Sequence, residues 1–120
     1  VSEQQSVTKS PVVGGVPAVF VHVKDLSRSI AWYSKLLGIP APQTERSDIH
    51  IFQLENGANI FLVRSDEVTP SRHVLCSLPT PDLNQAERFF AENAIEIVDK
   101  DDETINFQDP DGNILMACSI

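Results

Sequence analysis

Three histidines, His22, His50 and His73, are the side chains in this sequence best suited to chemistry. A neutral imidazole binds borderline divalent metals, moves protons near neutral pH, and donates or accepts hydrogen bonds. The three are far apart in the chain and do not form the His-x-x-x-His pair of a helical metal site. No Ser-His-Asp arrangement and no Gly-rich phosphate loop accompanies them. The two cysteines, Cys76 and Cys118, lack Cys-x-x-Cys spacing and sit in apolar runs. They read as buried free thiols, and a reducing cytosol is the expected location. Glu96, in "AIEIV", is a lone carboxylate and reads as exposed.

His22 lies in "AVFVHV" (Ala18 to Val23), a β-branched run that reads as a buried strand. Strand alternation puts it on one face with Ala18 and Phe20. Two roles stay open for it. It is a hydrogen-bonding contact to a polar ligand group, or a partly buried histidine bonded to a neighbouring strand or to Tyr33. His50 shares a face with Phe52 and Leu54, and both faces of its run are apolar, so a structural role is expected. His73 stands at a strand entrance beside Arg72, two residues before Leu75. A β-bulge or register shift near the prolines of "SLPTPD" would change which way it points.

The elements that must position these residues repeat. After the first strand comes "DLSRSIAWYSKLLG", with Asp25 as N-cap and Gly38 as left-handed C-cap. Leu26, Ile30, Tyr33 and Leu37 recur at helical spacing. "IPAPQ" ends the helix. "DIHIFQLENGANIFLV" reads as two strands joined at Asn56-Gly57, a strong hairpin signal. The second half runs in the same order: "RHVLCSL" as a strand, then a helix capped by Asp82, then the short strand "AIEIVD". "TINFQ" and "NILMACSI" follow, joined by the turn Asp109-Pro110-Asp111-Gly112. Trp32-Tyr33 matches Phe89-Phe90, and Gly57 matches Gly112. A single helix covers only one face of such a sheet. Two modules therefore pair, with helices outside and a cleft between the sheets as the natural ligand site.

The expected class is α+β: two paired βαβββ modules forming a curved mixed sheet around a cleft. Residues 1–16 read as a flexible extension and 17–120 as one domain, with modules of about 17–64 and 72–120. Apolar residues make up 42% and charged residues 22% of the 120, which is ordinary for a globular domain. The net charge of -8, part of it in "DKDDE" (Asp99 to Glu103), argues against nucleic acid and anionic membranes as partners. No signal-peptide pattern and no membrane-spanning apolar run is found.

Two motifs, "VHVKDLSRSIAWYSKLLGI" and "FQDPDGNILMACSI", resemble the vicinal oxygen chelate superfamily. It comprises the glyoxalases, bleomycin- and fosfomycin-resistance proteins and extradiol dioxygenases. The weaker motif "PDLNQAERFFAENAIEI" joins them, so the resemblance runs from about Pro17 onward. It implies a homodimer of paired βαβββ modules. In metal-dependent members it implies His, Gln or Glu ligands on the first and last strand of each module. Carried over, those positions are Ala18, Phe61, Leu75 and Met116. Hydrocarbon side chains and a single thioether are poor ligands for Mg, Mn, Fe or Zn. The resemblance thus implies a cleft lined by Phe20, His22, Asn59, Phe61, Leu75 and Met116, holding a small, largely apolar molecule without metal. A metal-dependent lyase, isomerase or dioxygenase, using His73 and His22, is the alternative. An interaction module whose cleft is filled by its own side chains is a third.

Overall fold

A computed structural model of the chain describes residues 10–40 and 46–120. The first part of the N-terminal extension, residues 1–9, and most of "IPAPQ" lie outside those residues. Residues 10–17 carry no regular structure and expose Val12, Val13 and Val16. Strand β1 spans Ala18–Val23, and helix α1 spans Leu26–Leu37. The Asp25 carboxylate accepts from the Arg28 amide, and Gly38 closes the helix at φ 69°. Both caps follow the sequence expectation, because each depends on residues next to it in the chain.

Strands β2 (Ile49–Gln53) and β3 (Asn59–Arg64) complete module one. Module two follows as β4 (Val74–Thr80), α2 (Leu83–Glu92), β5 (Ile97–Lys100), β6 (Thr104–Gln108) and β7 (Ile114–Ser119). The two hairpin turns are built alike. Leu54 N–H donates to Ala58 C=O at 2.8 Å, and Asp109 N–H donates to Asn113 C=O at 2.9 Å. Gly57 and Gly112 take φ 91° and 88°, a region that favours glycine. The repeat read from side-chain types therefore holds at the level of backbone hydrogen bonds.

The mixed sheet is built in two hydrogen-bonded pieces. One has the order β1-β3-β2 and the other β4-β7-β6-β5. In each, the first strand runs parallel to the last, and the remaining pairs are antiparallel. Among the described residues module one has three strands to module two's four, and β2 forms an edge. The pieces approach each other along β1 and β4. Helix α1 packs on β2 and β3, and α2 packs on β6 and β7.

One core serves both modules. Val21, Val23, Ile30, Tyr33, Ile60 and Leu62 belong to the same buried cluster as Phe90, Ile105, Phe107 and Leu115. Phe107 is the meeting point, with Phe90 of α2 at 4.5 Å and Trp32 of α1 at 6.3 Å between ring centroids. Trp32 thus packs inside this chain, against the other module.

A polar joint reinforces that contact. Tyr33, fully buried, donates its hydroxyl to Asp109 Oδ2 at 2.8 Å. Asp109 Oδ1 accepts from the backbone N–H groups of Asp111 and Asn113. The Asn113 amide nitrogen reaches both Asp109 Oδ2 and the carbonyl of His22. Arg28 pairs with Asp111 at 3.3 Å, and the Lys24 amide donates to the same carboxylate. The two modules therefore pair within one chain, held by a turn of module two that reaches into β1 and α1 of module one.

Candidate functional site

The helix-bearing sides of both sheets are buried, so the site must be sought on their opposite faces. On β1, Val19, Val21 and Val23 pack toward the core, while Ala18, Phe20 and His22 point the other way. The parallel register sets Phe20 beside Phe61 and His22 beside Val63. The antiparallel register adds Ile51 across from Phe61. Phe20 and Phe61 stack at 4.8 Å with 29° between their planes. Phe20 remains 57% exposed and Ile51 45%. The result is an aromatic and aliphatic surface open to a ligand on one side.

Four of the expected site residues, His22, Phe20, Asn59 and Phe61, thus share one face. Leu75 and Met116 belong to the second sheet, and the neighbouring strands β1 and β4 bring the two sheets together. Asn59 is less available than its position suggested. Its side-chain amide lies 3.4 Å from the Pro17 carbonyl, which its backbone N–H also uses.

His22 is exposed, and its Nδ1 lies 2.9 Å from Ser65 Oγ. Its partner is therefore Ser65 rather than Tyr33, whose hydroxyl is engaged by Asp109. Ser65 follows β3 and continues the face of Phe61 and Val63. The parallel pairing of β1 with β3 is what would have revealed it. His50 points to the core side with Phe52, edge to face at 4.7 Å. Its Nε2 is shielded and has no partner, and burial lowers its pKa below the usual value. His73 is exposed just before β4. Glu96 is exposed, just before β5. Both cysteines are unpaired and half-buried rather than fully buried, and burial pushes the Cys76 thiol pKa up.

A bulge does interrupt β4, between Val74 and Ser77, upstream of the prolines. It sets Val74 across from Ile114 and Ser77 across from Met116. In module one the corresponding partners are Ala18 with Asn59 and Phe20 with Phe61. Val74 thus takes the register of Ala18, while Leu75 remains exposed. Either residue is aliphatic, and a shift of one does not bring in His73.

The donor set at the expected ligand positions is methyl, phenyl, isopropyl or isobutyl, and thioether. It does not fit a divalent cation, which takes oxygen and imidazole nitrogen. Among the described residues no three His, Cys, Asp or Glu side chains gather in a way that would hold a metal ion. A cavity of about 550 Å³ lies elsewhere, at the start of α1, lined by Lys24, Ser27, Arg46, Ser47 and Arg64 among others. Two of its cations are matched by exposed carboxylates, Arg46 by Asp48 and Arg64 by Asp66, and it contains none of the expected site residues.

Two strand-helix-strand modules with a shared core and open faces opposite the helices make up the glyoxalase and bleomycin-resistance fold. This is the fold of the vicinal oxygen chelate superfamily. Several solved structures share it over nearly the whole chain. A glyoxalase / bleomycin resistance protein from Catenulispora acidiphila is 22% identical, with 88% of this chain and 97% of that one aligned at a TM-score of 0.67. A glyoxalase/dioxygenase from Nostoc punctiforme is 20% identical, covering 93% and 98% at 0.71. The fosfomycin resistance protein FosX from Listeria monocytogenes is 13% identical, covering 91% and 95% at 0.74. At these identities the likeness establishes the fold and leaves the activity to the residues. No family model matches the sequence, and no curated protein matches it. Among the described residues no helix is long and apolar enough to cross a membrane.

Proposed function

We propose that this protein binds a small, largely apolar molecule on the open faces of its sheets, without a metal, and so acts in sequestration, sensing or carriage. The observation that carries the reading is the Phe20–Phe61 stack. Phe61 stands at a position where the superfamily's metal-dependent members are expected to present a ligand, and Phe20, stacked on it, is left more than half exposed. Ile51 and Val63 extend the apolar surface, and His22 adds a polar contact at its end. Solved neighbours with this fold include proteins named for bleomycin and fosfomycin resistance, so the fold occurs in proteins that deal with small molecules.

The test combines metal content with ligand binding. Protein purified without added metal is assayed for Mn, Fe, Ni and Zn, and far less than one equivalent is expected. A panel of apolar aromatic compounds is then screened by thermal shift. Saturation at 100 times Kd should stabilise the fold by about 2.7 kcal/mol. Stoichiometric metal that disappears in His73→Ala would overturn the reading in favour of metal-dependent chemistry. A panel that leaves the melting temperature unmoved at all concentrations would overturn the binding function itself.

A further inference from the structure

We propose that Ser65 is a positioning residue for His22, and that the pair makes this face selective for flat apolar molecules carrying an oxygen acceptor. The inference deepens the binding reading above and rests on it. A neutral imidazole has one N–H and one lone-pair nitrogen, and the partner of one nitrogen decides the role of the other. Here Nδ1 is the partnered nitrogen, 2.9 Å from Ser65 Oγ. The Ser65 hydroxyl has no other hydrogen-bond partner among the described residues and is free to turn its proton. An imidazole lone pair is a stronger acceptor than a hydroxyl oxygen. The hydroxyl therefore donates to Nδ1, and the ring carries its own proton on Nε2.

The Nε2–H is then a fixed donor on the open face. His22 stands two residues along β1 from Phe20, so their backbone positions on this face are about 7 Å apart. That distance is roughly the length of two fused aromatic rings. A flat molecule stacked on Phe20 in an offset arrangement would bring a carbonyl or ether oxygen to His22. A molecule whose only polar group is a donor would meet Nε2–H with like polarity and lose the contact.

The experiment has two arms. In the first, protein labelled with ¹⁵N in its histidine rings is studied without ligand by long-range ¹H–¹⁵N spectra, with His22 assigned by its loss in His22→Leu. Wild type and Ser65→Thr should show His22 as a single Nε2–H tautomer, and Ser65→Ala should relax to the mixture of a free imidazole. A wild-type ring protonated on Nδ1, or a Ser65→Ala spectrum identical to wild type, overturns the positioning role.

In the second arm, naphthalene and 2-acetylnaphthalene are titrated as matched probes. The ketone should bind about 3- to 10-fold more tightly, the equivalent of one hydrogen bond. The preference should vanish in His22→Leu, shrink in Ser65→Ala and persist in Ser65→Thr. Equal affinities in wild type overturn the acceptor requirement while the binding reading stands. Failure of both probes to bind at millimolar concentration overturns the binding reading, and the ring spectra still decide on Ser65.

Discussion

Replacing Tyr33 by Phe tests how the two modules are held together. The ring stays, so the packing around α1 is kept and no cavity opens. What is lost is one hydroxyl, which donates to Asp109 Oδ2 at 2.8 Å inside the core. A hydrogen bond to a charged group is worth about 1.5–3 kcal/mol. Asp109 Oδ2 keeps its second donor, the Asn113 amide at 3.0 Å, so the carboxylate oxygen is not orphaned. The expected loss is therefore at the lower end, about 1.5–2 kcal/mol. For a domain of this size that is a fall in Tm of roughly 6–8 °C. Urea unfolding followed by the fluorescence of Trp32, which sits at the same junction, reads the change as a shifted midpoint with an unchanged slope. A double-mutant cycle with Asp109→Asn should give a coupling of at least about 1 kcal/mol. A Tyr33→Phe protein within about 0.5 kcal/mol of wild type, with no coupling to Asp109, would mean that the turn of module two touches α1 without holding it.

Three further outcomes follow from the same geometry. Burial, the nearby Asp109 charge and the hydrogen bond to it all raise the Tyr33 pKa well above the ordinary value. Since the chain has one tyrosine, the native protein should show no tyrosinate absorbance near 295 nm on alkaline titration until it unfolds; a rise at about pH 10 in folded protein would contradict the burial. His50 behaves in the opposite sense. Its folded pKa is lowered from 6.5 by burial, so below that pH the unfolded state binds more protons. Its contribution is complete above about pH 6.5 and is lost as pH falls through the depressed folded value. Urea midpoints measured from pH 7 to 5 should fall less steeply in His50→Phe than in wild type, and parallel slopes would assign the acid loss elsewhere. Finally, Gly57→Ala and Gly112→Ala each force a side chain into the left-handed region, at about 1–2 kcal/mol. An added Cβ at Gly112 also meets Pro70 Cβ at 3.2 Å, whereas at Gly57 nothing lies within 4 Å. Gly112→Ala should be the more destabilising of the two, and equal losses would show that Pro70 moves aside freely.

The parts of this fold legible in the sequence are those written locally. Asp25, Gly38, Asp82, Asn56-Gly57 and the Asp-Pro-Asp-Gly turn each act on backbone a few residues away, so their types reveal their roles. The open face was partly legible too, because alternation along β1 separates Phe20 and His22 from Val21 and Val23. The cross-strand facts were not. Ser65 is far from His22 in the chain, and only the parallel pairing of β1 with β3 brings them together. The bulge at Val74–Ser77 leaves no clear trace in "VLCS", and the prolines drew attention to the wrong place. Asp109 looked like a turn former, which it is. That its carboxylate also takes the hydroxyl of Tyr33 depends on how two modules dock, which no local pattern records.

The two hairpins share a backbone but not a burden. The first needs only to reverse the chain: Leu54 at its start packs on the core, while Glu55, Asn56 and Gly57 at its tip are exposed. The second reverses the chain and also pins the neighbouring module through Asp109, Asp111 and Asn113. Tolerance to substitution should therefore be lopsided across a structure that looks symmetric. The Leu54–Ala58 turn is free to drift or to accept an insertion, while the Asp109–Asn113 turn can change only in concert with Tyr33, Arg28 and β1. If the halves arose by duplication, the second turn is where they stopped being interchangeable.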